Sequence, residues 1–270
     1  VGSVMCIRDS FDTLHDYYCF SSAIGMDLIF RHINLVRMEK EIMNEKYLIK
    51  GVCVSVAYII YLSLCALVTT DERLLALIHI LTLVLIFVAS KRYITFEKTG
   101  IKLIAMSIVL GIGMALSFTV IVPFANDVGE AQSYSMREIF YYVNSIFLLP
   151  IMEEFIFRGI IFKELVSNYP LKFAIVSSSL IWMLAHLNPL NAGVYFLHGV
   201  LMAYTVYLTS NILYPILMHV SINSFNLLGG TNSILLYFAR VMSEPISIFL
   251  TIVLSVGIIA ISIALIRKLS

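Results

Sequence analysis

Charge is scarce in this chain. Only 13% of its 270 residues are Asp, Glu, Lys or Arg, while 60% are apolar. That balance excludes an ordinary soluble domain and places the chain among integral membrane proteins. The formal net charge of +1 gives no attraction to nucleic acid, so the informative quantity is where the positive residues fall. Cysteine is sparse too: Cys6, Cys19, Cys53 and Cys65 form no C-x-x-C pair. Neither a disulfide framework nor thiolate metal chemistry is expected, and the four read as small buried apolar residues. The helical H-E-x-x-H of zinc enzymes and the G-x-S-x-G of serine hydrolases do not occur, and paired spanning aspartates are missing. Period-two alternation, internal repeats, low-complexity tracts and flexible linkers are also absent, so the chain reads as one helical membrane domain.

The start of the chain reads differently from the rest. Residues 5–10, M-C-I-R-D-S, resemble a translated sequencing adapter, and the native start is expected at Met26, Met38 or Met43. No charged stretch leading into a short apolar core and a small-residue cleavage site is visible, so no cleavable signal is expected. Residues 1–47 are assigned to an N-terminal cytoplasmic segment and residues 48–270 to the membrane-embedded domain.

What is abundant is apolar sequence in long runs. A helix crossing hydrocarbon needs about 20 mostly apolar residues. Candidates fall at residues 48–69, 74–90, 103–125, 139–162, 173–187, 192–208, 212–228 and 246–266, which predicts an all-α polytopic bundle of about eight transmembrane helices. Arg31, Arg37, Lys40, Lys46, Lys50, Lys91, Arg92, Lys98, Lys102, Lys163, Lys172, Arg267 and Lys268 fall on one side, and only Arg73, Arg137 and Arg240 on the other. Cytoplasmic loops hold the excess of Lys and Arg, so both termini are expected in the cytoplasm. Residues 188–191 form a short loop that could dip into the bilayer. Residues 231–244 suit an interfacial helix ended by Pro245.

Against this apolar background Glu153, Glu154 and Arg158 stand out. Ionisable side chains at bilayer depth cost roughly 2.5–3.5 kcal/mol each, so a span that keeps three usually keeps them for a substrate path, a proton relay or a catalytic site. Glu154 and Arg158, four apart, share a helix face and can pair, while Glu153 projects about 100° away. Glu153 is therefore the candidate general base. Later spans add Trp182 with His186 and His219 with Asn223, each pair at the same four-residue spacing. The serines 177–179 are small enough for close helix contact. If the three spans pack together, Glu153, His186, His219 and Asn223 can converge on one carbonyl, at depths of roughly 10 to 20 Å with His186 the deepest. Pro150, one turn before Glu153, is expected to kink its helix and expose carbonyls near the site. His79 and His198 read as packing or hydrogen-bonding residues, and Tyr204, Tyr207 and Tyr214 as anchors or packing residues.

These residues resemble the CAAX protease and bacteriocin-processing family, whose eukaryotic members include the type II CAAX prenyl endopeptidases. The family's E-E-x-x-x-R is matched by Glu153, Glu154 and Arg158, and its H-x-x-x-N by His219 and Asn223. Its F-x-x-x-H is matched at His186, with Trp182 in place of phenylalanine. Order and spacing agree across residues 139–228. The resemblance implies a metal-free, glutamate-dependent intramembrane endopeptidase of about eight helices. Glu153 and His186 would activate water, His219 and Asn223 would hold the oxyanion, and Glu154, Arg158 and Trp182 would support them. No cofactor is implied. The expected partners are the lipid bilayer and a peptide or protein substrate, including a membrane-anchored one, and the expected location is a bacterial plasma membrane. Prenylated CAAX peptides belong to the eukaryotic branch, whereas many bacterial members serve bacteriocin maturation or self-immunity. Other classes compatible with the same residues are a zinc protease using His186, His219 and a glutamate, a proton-coupled carrier, and a non-catalytic bacteriocin immunity protein.

Overall fold

The computed structural model describes residues 23–91, 93–97, 99–117, 135–229, 234 and 237–270, with side chains described from residue 45 onward. The adapter-like residues 5–10, Cys6 and Cys19 lie outside the described residues, as do the end of the expected span 103–125 and most of 230–236. Two compact units divide at residue 46. In the first, residues 1–46, the described residues from Ala23 are helical. The second unit comprises residues 47–270.

The described residues are all-helical. Apart from an isolated antiparallel bridge between Phe96 and Asn211, no strand occurs among them. The elements are α1 (Ala23–Val68), α2 (Glu72–Ser90), α3 (Ile101–Leu116), a long rod α4, α5 (Leu171–Ala185), α6 (Ala192–Thr209), α7 (Leu213–Leu227) and α8 (Glu244–Leu269). The rod α4 is built of Met136–Val143, a π turn Asn144–Leu148, Leu149–Glu154, a π stretch Phe155–Phe162, and Lys163–Asn168. Helix starts follow from local chemistry. Asp71 caps α2 by accepting from the Arg73 amide at 2.9 Å, and Ser135 with Glu138 forms a reciprocal capping box on α4.

Among the described residues four helices are long and apolar enough to cross a membrane: Glu45–Val68, Glu72–Ser90, Ala192–Thr209 and Glu244–Leu269. They correspond to four of the eight expected spans. Ile101–Leu116 and Leu171–Ala185 are apolar but shorter, α7 has 15 residues, and α4 is interrupted by its π segments. For α4 the physical reason is that a hydropathy window counts apolar residues and is blind to where the hydrogen-bond register changes, whereas the end of the span expected over α3 lies outside the described residues.

Two apolar clusters hold the rods together. One joins Tyr58 of α1, Met152, Phe157 and Phe162 of α4, Ile181 and Trp182 of α5, and Ala203 and Val206 of α6. The other joins Leu110 and Met114 of α3, Met202 of α6, Tyr214 and Met218 of α7, and Ile266 of α8. Helix α6 serves both, and 39% of its apolar window is buried, against 17% for α2 and α8, so it runs through the interior. Where helices approach closely, small residues make room: a Cβ on Gly199 would stand 3.0 Å from Ser179 Cα, at the serine run expected to favour such contact. The loop after α2 is pinned to the α6–α7 turn. Ile212 N donates to Thr95 O at 3.0 Å, Asn211 donates to Thr99 Oγ1 at 3.1 Å and to the Glu97 carbonyl, and the Thr95 hydroxyl donates to the Ser210 carbonyl.

Cys65 is buried, but Cys53 lies on an exposed face of α1. Pro245 sits in the first turn of α8, where its missing N–H costs nothing.

Candidate active site

Pro150 explains the shape of α4 ahead of the glutamates. Proline has no N–H, and in an uninterrupted α-helix its ring collides with the carbonyl four residues back. Here the π turn widens the rod and absorbs that conflict: Leu149 N bonds Asn144 O, five residues back. In the same five-residue register the Ser145 carbonyl would look to residue 150, which has no hydrogen to give. Asn223 of α7 takes that place, its Nδ2 donating to Ser145 O at 2.9 Å.

The adjacent glutamates have different partners. Glu154 Oε1 accepts from Arg158 Nη1 at 3.0 Å and from His219 Nδ1 at 2.8 Å. This group is sealed, with the Glu154 side chain fully buried and that of Arg158 2% exposed. Lone charge is costly at such depth, and the carboxylate shares one oxygen between a guanidinium and an imidazole, while Glu154 Oε2 and Arg158 Nη2 are buried without a hydrogen bond. The Arg158 guanidinium also lies 4.6 Å from the centre of the Trp182 ring, a cation–π contact.

Glu153 is the more open of the two, 15% exposed beside a His186 side chain at 19%. Its Oε1 accepts from the Tyr58 hydroxyl at 3.1 Å, and its Oε2 from Trp182 Nε1 at 3.3 Å. His186 Nε2 and His219 Nε2 stand 3.8 and 3.9 Å from that same Oε2. Both separations exceed a direct hydrogen bond and suit a bridging water.

His186 is the C-cap of α5, where the chain turns through Leu187 at a positive φ of 50°. Its Nδ1 lies 2.9 Å from the Trp182 carbonyl, and its ring stacks on Tyr195 at 4.1 Å between centroids. A carbonyl only accepts, so Nδ1 carries the hydrogen and Nε2 of the neutral ring is an acceptor. The same reasoning, with Glu154 as the partner of Nδ1, makes Nε2 the free nitrogen of His219.

Of the residues singled out by sequence, Glu153, Glu154, Arg158, Trp182, His186 and His219 therefore meet in one cluster drawn from α4, α5 and α7. Asn223 lies one turn beyond His219 with one amide hydrogen engaged by Ser145 O, which leaves the second for other use. Sequence reasoning missed Tyr58 and Tyr195. A signal existed for Tyr58, since tyrosines anchor at membrane interfaces and this one falls mid-span. His79 and His198 do hydrogen-bond: His79 Nδ1 lies 3.1 Å from Asn144 Oδ1, and His198 Nε2 lies 2.9 Å from Ser117 Oγ and 3.0 Å from Met114 O. Among the described residues no group of three or more His, Cys, Asp or Glu side chains is placed to hold a metal ion.

The described residues form an all-helical fold with helices apolar enough for an integral membrane protein, and a buried cluster of carboxylates and imidazoles lies between its rods. Residues 135–225 match the family model described as type II CAAX prenyl endopeptidase Rce1-like. The match covers about a third of the chain and is consistent with the CAAX protease and bacteriocin-processing family. The matched stretch runs from the cap of α4 into α7 and includes all of Glu153, Glu154, Arg158, Trp182, His186, His219 and Asn223. Comparison with curated proteins and with solved structures finds no match.

Proposed function

We propose that the chain is an intramembrane endopeptidase that hydrolyses a peptide bond with water activated by Glu153 and His186. The observation that carries this reading is the convergence of two imidazole Nε2 atoms on one carboxylate oxygen, at 3.8 and 3.9 Å. A water lying between Glu153 Oε2 and His186 Nε2 points a hydrogen at each acceptor, which turns its lone pair toward a substrate carbonyl carbon. On attack the C–O bond forms and one water proton passes to Glu153. The oxyanion is met by His219, oriented through Nδ1 by Glu154, and by the second amide hydrogen of Asn223. Glu153 then returns its proton to the amide nitrogen as the C–N bond breaks, releasing a new carboxyl and a new amino terminus.

In this reading Arg158 pairs with Glu154 and orients it, and Trp182 supports Glu153. All eight rods lie in the bilayer, with both termini in the cytoplasm as the distribution of Lys and Arg favours. The substrate is a peptide or protein reached in or at the membrane. Residues 48–270 form the protease domain, and the location is a bacterial plasma membrane.

The test is terminal-peptide mass spectrometry of membranes from cells expressing the native chain or Glu153→Gln. Protein ends present with the native chain and missing with the variant are expected. Identical ends in both are what a proton carrier or a non-catalytic immunity protein predicts, and would overturn the proposal. Chelator added to the purified protein is expected to leave cleavage unchanged, whereas loss restored by zinc would support a zinc site on His186, His219 and a glutamate.

A further inference from the structure

A glutamate carboxylate is not fixed by its own rotamer. Its last torsion is broad and nearly two-fold, so a free carboxylate samples many planes and exchanges its oxygens. A general base that must present one particular oxygen to two imidazoles needs outside restraint. The structure supplies two donors from different helices, one on each oxygen: the Tyr58 hydroxyl of α1 on Oε1 and the Trp182 indole N–H of α5 on Oε2. Both donors are themselves held. Tyr58, 5% exposed, meets Phe157 edge-to-face at 5.9 Å and stacks on Tyr61 at 6.4 Å. Trp182 is clasped by the Arg158 guanidinium on its face and by the edge-on rings of Tyr195 and His219 at 5.9 and 5.7 Å.

We propose that Tyr58 and Trp182 form a two-donor clamp that sets the plane of the Glu153 carboxylate and keeps Oε2 turned toward His186 and His219. Both are positioning residues, acting through Glu153. At position 182 the resemblance expects phenylalanine, which packs similarly but has no N–H. The indole is the departure that adds the second donor. Tyr58 lies outside the matched stretch 135–225, so its contribution to the site comes from a helix the family model does not cover. The clamp also gives α1 a part in turnover: any shift of α1 along α4 withdraws the phenol from Oε1.

The inference rests on the endopeptidase reading, and one set of variants separates their failures. The native chain, E153Q, Y58F, W182F and the Y58F/W182F pair are reconstituted in lipid nanodiscs. Each is assayed on the protein whose cleaved ends distinguish native from E153Q membranes. Y58F keeps the ring against Phe157 and removes only the hydroxyl, and a hydrogen bond to a charged group corresponds to about a ten-fold to hundred-fold effect. The clamp predicts kcat lowered by about that factor with KM within two-fold, a smaller fall of the same kind in W182F, and an unchanged unfolding temperature in both. The pair should fall by less than the product of the single effects if one orientation is being set. Y58F with native kcat overturns the clamp while leaving the hydrolase standing. So does a Y58F loss that appears as raised KM or a lowered unfolding temperature at native kcat. Native and E153Q membranes with the same protein ends overturn both.

Discussion

The two glutamates show how neighbouring residues of one type are given different work by their partners. Glu154 is enclosed and doubly bonded, whereas Glu153 is held but partly open. Different consequences follow for their neighbours. Glu153→Gln, nearly isosteric, should abolish cleavage with an unfolding temperature close to native. Arg158→Met removes the guanidinium and leaves Glu154 buried with an imidazole as its only partner. It is expected to destabilise the fold by about 3 kcal/mol, since breaking a buried pair strands the remaining charge. Thermal unfolding in detergent, followed alongside cleavage, separates the two. The motif residues were legible because charge and imidazole are rare in apolar spans and recur at helical spacing. Tyr58 was legible only as a tyrosine at an unusual depth: it has no spacing partner in its own helix, and the carboxylate it meets is 95 residues away.

At the scale of elements the decisive feature is the pair of π segments in α4. Pro150 was legible as a disturbance. That the disturbance is a π turn, and that the carbonyl it frees is taken by Asn223, required the helices to be seen together. Replacing Pro150 with Ala supplies an N–H that can close the register on Ser145 O and compete with Asn223. Activity is expected to fall several-fold while stability holds or rises, as removing a helix-interior proline favours the rod. Unfolding temperature and kcat measured on the same sample check the opposed signs. The seat of α7 is set from the other side by Gly111 of α3, where a Cβ would stand 2.5 Å from the Met218 carbonyl and 2.7 Å from Ser221 Cβ. Gly111→Ala must therefore push α7, which carries His219, away from α3. A destabilisation of roughly 1–3 kcal/mol, typical of overpacking, together with reduced cleavage is expected. Native stability in that variant would show that α7 does not depend on this contact.

Over the whole molecule, hydropathy located the long uninterrupted rods, the interior α6 among them, and was weakest for those that are short or change register. Four expected spans reappear as helices long and apolar enough to cross a membrane. The expected spans over α4, α5 and α7 are short or interrupted because their polar residues and register changes serve the interior, not the lipid. The orientation read from Lys and Arg predicts that a cysteine introduced at Ser270 is labelled by an impermeant maleimide only after the membrane is opened. A cysteine at Ser135 should be labelled in intact cells. The reverse pattern would invert the topology and place the Lys-rich loops outside.

The central claim is that an ionisable carboxylate at position 153 drives hydrolysis inside this bundle. The most direct measurement is the cleavage rate of purified native protein against Glu153→Gln in the same bilayer, on the same substrate, with unfolding temperatures matched. A loss of at least about a thousand-fold is predicted, within the range that general-base catalysis and its positioning supply. Cleavage by Glu153→Gln within a few-fold of native would contradict the account.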